Sequence, residues 1–119
     1  MDNQLEQARD AWLNAFFTGN VETLAQYEDD DFSVIYEAES RVENRETRYA
    51  TIQHAIKNGV WKPQKPNVDS EEYAFDREQV NCRIQIGLAD EQGYIQEIWR
   101  YLQGWKIQEL RFCAAKVSA

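Results

Sequence analysis

Cysteine, histidine, proline and positive charge are all scarce in this chain, and each scarcity removes a class of chemistry. The two cysteines, Cys82 and Cys113, and the single histidine, His54, among 119 residues fit no metal-ligand spacing, so no metal site is expected. The glycine-rich turns that cradle phosphates are missing, and no cofactor is expected either. Serine nucleophiles lack a partner imidazole on a credible face. Lys and Arg number 13 against 21 Asp and Glu, a formal charge of -8. Phosphate binding releases counterions only from a basic footprint, so nucleic acid and anionic membrane surfaces are excluded as partners. No uncharged apolar run reaches membrane-spanning length, and the first residues, Met-Asp-Asn-Gln-Leu-Glu-Gln-Ala-Arg, carry neither a basic start nor an apolar stretch. No membrane contact and a cytoplasmic location are therefore the expectation.

Apolar material is present in quantity: hydrophobic residues make up 43% and aromatics 13%, enough for one core, and the length suits a single domain over residues 1–119. Asn3 with Glu6 reads as a capping pair, after which Leu5, Ala8, Trp12, Ala15 and Phe16 recur at helical spacing up to Gly19. Asn20 caps a short second helix through Tyr27. The carboxylates Glu28-Asp29-Asp30-Asp31 lack the alternation, central glycine and closing Glu of a calcium loop, and read as a solvated helix-to-strand connection. Phe32, Val34 and Tyr36 alternate with Ser33, Ile35 and Glu37 as a strand does. Asn44 caps a third helix with Tyr49, Ile52 and Ile56 on its stripe, closed at Lys57-Asn58-Gly59. His54 lies opposite that stripe and reads as solvent-facing. The series Arg41, Arg45, Arg48, interleaved with Glu43 and Glu46, reads as a surface feature.

After a proline loop at Lys62-Pro63-Gln64-Lys65-Pro66-Asn67 the chain reads as a strand meander: Glu71 to Asp76, Gln79 to Leu88, Tyr94 to Leu102 and Trp105 to Cys113. Asp90-Glu91-Gln92-Gly93 and Gln103-Gly104 supply turns. The last two strands are apolar on both parities: Ile95, Trp99 and Tyr101 oppose Tyr94, Ile98 and Leu102, while Trp105 and Ile107 differ in parity from Leu110 and Phe112. One helix layer covers one face, so a homodimer is expected, with Ile95, Trp99, Tyr101, Leu110 and Phe112 as the candidate dimer face. Cys82 and Cys113 sit on strands separated by a third, about 9.6 Å apart and beyond disulfide reach, so reduced thiols are expected.

Three stretches carry a family likeness: Ala11-Trp12-Leu13-Asn14-Ala15-Phe16-Phe17-Thr18-Gly19-Asn20, Tyr27-Glu28-Asp29-Asp30-Asp31-Phe32, and Trp99-Arg100-Tyr101 followed by Trp105-Lys106-Ile107-Gln108-Glu109-Leu110-Arg111. With the element order they resemble the nuclear transport factor 2-like superfamily, which includes polyketide-cyclase-like and ketosteroid-isomerase-like proteins. The resemblance implies an α+β fold: a cone-like curved antiparallel sheet with the N-terminal helices on one face, often with an apolar pocket and dimerisation through the outer face. The isomerase-like members place an oxyanion-donating Tyr where this chain has Trp12, and an Asp base where it has Tyr36, a weak base at neutral pH. That constellation is absent.

The candidate ligand pocket is Arg9, Trp12, Phe16, Phe32, Val34 and Tyr36, suited to a small apolar molecule with the Tyr36 hydroxyl as its polar handle. Plain core explains the same aromatics equally well. Arg9, beside the stripe of the first helix, either snorkels to solvent or anchors an anionic ligand. Two functional readings stand: a small-molecule binder, with an enzyme of unfamiliar site as its variant, and a dimeric accessory module whose cavity is filled. Cavity volume discriminates them.

Overall fold

Two asparagines start two of the helices. In the computed structural model, which describes residues 3–89 and 93–114, the Asn20 side chain accepts the Thr23 N–H at 3.1 Å and opens α2 (Val21–Tyr27), while Asn44 accepts the Thr47 N–H at 2.9 Å and opens α3 (Arg45–Lys57). Each cap satisfies an amide that the helix itself leaves without a partner. The Asn3 side chain and the turn residues Asp90, Glu91 and Gln92 lie outside the described residues. Helix α1 (Asn3–Thr18) ends at Gly19, whose φ of +74° suits a residue without Cβ. A Cβ there would also clash with the Ile56 side chain of α3, so this corner packs directly against that helix.

Six strands follow in the spatial order β2-β1-β6-β5-β4-β3: β1 Glu28–Tyr36, β2 Arg41–Asn44, β3 Val68–Phe75, β4 Asn81–Leu88, β5 Tyr94–Tyr101 and β6 Trp105–Cys113. The expected meander of the last four strands is present, and β5 separates Cys82 from Cys113. Two features depart from the sequence reading. The sheet is mixed, because β1 runs parallel to β6. Strand β2 has no counterpart in the reading; its Arg-Val-Glu-Asn pairs antiparallel with Ser33 to Tyr36.

A third difference decides which face each side chain serves. The β5–β6 register shifts between Ile98 and Trp99: Ile98 pairs with Glu109, but Trp99 pairs with Ile107. Gln108 is the extra residue of a β-bulge, and a bulge reverses the alternation beyond it. Trp105 and Ile107 therefore share a face with Leu110 and Phe112 despite their opposite parity. All five residues expected on an outer dimer face, Ile95, Trp99, Tyr101, Leu110 and Phe112, stand on the inner, helix-covered side. The outer face is mainly polar, with cross-strand rows Asn81–Arg100–Lys106, Arg83–Ile98–Glu109 and Gln85–Gln96–Arg111. The two-sided apolar pattern of β6 is a product of the bulge, whereas Tyr94 and Ile98 of β5 do stand on the outer face.

The core forms between the inner face and α1. Leu5, Trp12 and Ala15 meet Phe32, Val34, Ile84, Trp99 and Ile107, all nearly inaccessible. Trp12 and Trp99 pack edge to face at 5.7 Å. Rings of this size dominate the buried area, and such pairs contribute about 0.5–1.5 kcal/mol beyond it.

Candidate functional site

The core does not fill the whole inner face. Between α1, the segment following α3 and the upper part of β3 to β6 lies a cleft of about 760 Å³. Trp61 holds that segment in place: its indole N–H donates to the Phe16 carbonyl at 2.9 Å and its ring stands edge-on to Phe16 at 5.2 Å. Pro63 to Pro66 then form one wall, and Lys65 Nζ lies 5.6 Å from the Phe17 ring centre. Leu13, Phe16 and Phe17 of α1 face Ile86, Leu88, Ile95, Leu110 and Phe112 of the sheet across the opening.

Of the six candidate pocket residues, Arg9, Trp12 and Phe16 line this cleft. Phe32 and Val34 are buried in the core and are not among its walls. Tyr36 stands one layer behind, its ring stacked on Phe112 at 5.1 Å and its hydroxyl donating to Glu43 at 3.0 Å. Ile95, Leu110 and Phe112, expected on the dimer face, are cleft walls instead. Trp99 is fully buried in the core, and Tyr101 packs on Trp105 at the opposite end of the inner face.

Arg9 neither snorkels nor offers itself to an anion. Its Nε and Nη2 donate to the two Glu97 carboxylate oxygens at 2.8 and 2.9 Å, and Nη1 donates to Glu71 at 3.0 Å and to the Tyr73 hydroxyl at 3.3 Å. Burial, the largest single influence, opposes the Arg9 charge, but the bonds and charge of Glu97 together with Tyr73 and Glu71 outweigh it and hold the guanidinium protonated beyond its ordinary range. Trp99 adds its indole N–H to Glu97 at 2.8 Å.

The carboxylate run is not a connection: all four residues belong to β1, and the first of them is not solvated. Glu28 opens β1 directly after α2 and is wholly inaccessible; its oxygens accept the Trp12 indole N–H at 2.8 Å and the Tyr49 hydroxyl at 2.5 Å. Burial raises the Glu28 pKa, against the lowering effect of Tyr49, Trp12, Arg48 and Arg45. Arg48, read as a surface residue, is also buried: it lines the cleft, with its guanidinium 5.5 Å from the Phe16 ring and 5.9 Å from Phe32. His54 is exposed, as expected.

The positions that isomerase-like proteins use for catalysis are engaged otherwise. The Trp12 N–H is spent on Glu28, and burial together with the bond to Glu43 raises the Tyr36 pKa, the reverse of what a base requires. Among the described residues no three His, Cys, Asp or Glu side chains converge as metal ligands would, and no helix is long and apolar enough to cross a membrane.

No protein-family model matches the chain and no curated protein is similar to it, but solved structures are. An NTF2-like protein from Cytophaga hutchinsonii superposes with a TM-score of 0.73 at 15% identity, covering 96% of this chain and 99% of its own. An NTF2-like protein of unknown function in nutrient uptake from Rhodospirillum rubrum gives 0.69 at 18% identity, covering 98% and 100%. The CaMKII hub homology domain of Chlamydomonas reinhardtii gives 0.67 at 15% identity, covering 95% and 97%. The chain has the nuclear transport factor 2-like fold. At these identities the likeness is one of fold, on which unrelated activities are built.

Proposed function

We propose that this protein binds a small, mainly apolar molecule in the cleft between α1, the Pro63–Pro66 wall and the sheet. The observation that carries the reading is the open volume, about 760 Å³, which falls within the roughly 300–1,000 Å³ of small-molecule sites and is walled largely by apolar and aromatic side chains. A module with a filled interior would not leave Leu13, Phe17, Ile95 and Phe112 facing a void. Native mass spectrometry of freshly expressed protein tests it: the expected result is a retained non-covalent mass, lost in Ile95→Trp, which narrows the cleft. A folded chain that stays empty after incubation with a library of apolar compounds would overturn it.

A homodimer is the second reading, and it needs a different contact surface from the one expected. Phe75 and Tyr101, both packed on Trp105 and both more than a third exposed, together with Leu102, favour the turn end of the sheet over its polar outer face. One of the proteins with the same fold is named a hub domain. The same spectra report the subunit count.

A further inference from the structure

The two arginines of the cleft wall differ in one respect that bears on what the cleft accepts. Arg9 has acceptors for Nε, Nη1 and Nη2 from Glu97, Glu71 and Tyr73. Arg48 does not. Its side chain is 9% exposed, and its Nη1 is buried with no hydrogen-bond partner among the described residues. The carboxylate near it, Glu28 Oε2, is 3.7 Å away, beyond hydrogen-bond reach, and already accepts the Trp12 N–H. A buried guanidinium donor without an acceptor is costly, and native structures seldom keep one without a use. Arg45 Nε shares this lack, but Arg45 is not among the cleft walls.

Phe16 and Phe32 lie close to the Arg48 guanidinium. Contact with rings supports the charge without consuming the in-plane N–H donors, which remain available to an oxygen. Lys65 adds a second cation among the cleft walls, while Asp10, Glu71 and Glu97 are acidic neighbours there. With Glu97 and Glu71 both turned to Arg9, Arg48 is the buried basic group of the cleft with an open donor, Lys65 being exposed. The acidic neighbours and the formal charge of -8 disfavour a dianion such as a phosphate monoester and leave a single charge as the acceptable load.

We infer that the molecule held in the cleft is an amphipathic monocarboxylate, its chain against Phe17, Ile95 and Phe112 and its carboxylate accepting a hydrogen bond from the Arg48 guanidinium. This rests on the reading of the cleft as a ligand site and names the class of ligand. Arg48 then discriminates an acid from the alcohol of equal length, because only the acid supplies a charged acceptor.

Calorimetric titration with sodium octanoate and with 1-octanol, each in its monomeric range, separates this inference from the reading beneath it. The wild type is expected to bind octanoate about tenfold or more tightly than octanol, the range of one charge-assisted hydrogen bond. Arg48→Met is expected to abolish the preference for octanoate over octanol, and Arg48→Lys to keep part of it. Equal binding of the two probes by the wild type, or a preference that survives in Arg48→Met, would overturn the role of Arg48 and leave the cleft reading intact. Binding of neither probe would count against both. The wild-type preference is read without any variant, so a folding defect in Arg48→Met does not spare the inference.

Discussion

Arg9 and Glu97 are 88 positions apart in the chain and meet through two parallel hydrogen bonds of 2.8 and 2.9 Å, joining α1 to β5 beneath the cleft. Both side chains are more than nine-tenths buried. Arg9→Met leaves the Glu97 carboxylate buried without a cation and is expected to lower the unfolding free energy by about 3–5 kcal/mol, and Glu97→Leu by less, because Arg9 keeps Glu71 and Tyr73. The double substitution is expected to be far closer to wild type than the sum of the two, because it leaves neither charge. Urea denaturation of the four proteins in a double-mutant cycle measures it. Additive losses would show that the pair is not a coupled unit.

Glu28 contributes to stability with the opposite pH sign from a surface carboxylate. Its folded pKa is raised above the ordinary 4.5, chiefly by burial. The folded state thus holds the proton longer than the unfolded chain does, and stability falls as pH rises from about 4.5 through the raised value. Glu28→Gln removes this titration while keeping an acceptor for Trp12. The stability of wild type relative to Glu28→Gln is expected to decline from pH 4.5 to pH 7.5, measured by chemical denaturation at each pH. A difference independent of pH, or one that grows, would contradict the assignment.

Ketosteroid-type proton transfer is expected to be absent. Such chemistry needs a base ionised near neutrality and a donor aimed at the developing oxyanion, and here the matching positions hold a Tyr36 with raised pKa and a Trp12 whose N–H is occupied. The assay is isomerisation of a simple unsaturated ketosteroid by wild type and by Tyr36→Phe, and both should remain at background. Turnover by wild type that disappears in Tyr36→Phe would identify the phenol as the working group.

The thiols give a check on strand order. Cys82 and Cys113 are free and buried, and β5 lies between their strands. Burial pushes the Cys82 thiol up to about 11 and raises Cys113 as well. Two thiols are expected to titrate rapidly in denaturant without reductant, and only slowly in the native protein at pH 8, where thiolate is scarce. Finding none in denaturant would mean a disulfide that this topology forbids.

What the sequence disclosed and what it hid divide along one physical line. Periodicity and capping are local, and they located α1, α2 and α3 and the four-strand meander with the right order and nearly the right limits. Gln108 lies within an unbroken strand pattern, where nothing local marks an extra residue, so Trp105 and Ile107 read as facing away from Leu110 and Phe112, although all four share the inner face. Charges in the interior were the other blind spot. Glu28 looked like the start of a solvated acidic run, and Arg48 like one of a spaced surface series, because their partners, Trp12, Tyr49 and Phe16, lie on other elements. One signal was available: Glu97 sits between Ile95 and Trp99 on an apolar parity, and Arg9 sits beside the apolar stripe of α1. Two opposite charges each embedded in a buried face are candidates for each other. Of the candidate pocket, the α1 members Arg9, Trp12 and Phe16 line the cleft; Phe32, Val34 and Tyr36 have the correct parity but stand behind its wall.

Strand β6, last in chain order, occupies an interior place in the sheet, with β1 on one side and β5 on the other. Until it arrives, β1 and β2 can form only a hairpin, and β3 to β5 only a separate three-stranded ribbon, each with an open edge of unpaired amides and carbonyls. The pairing that unites them spans most of the chain, from Glu28 with Ile107 to Tyr36 with Phe112, and closing so long a loop is slow. A partly folded chain therefore presents two adhesive edges until β6 is inserted, and insertion of β6 joins the halves of the sheet in one cooperative step.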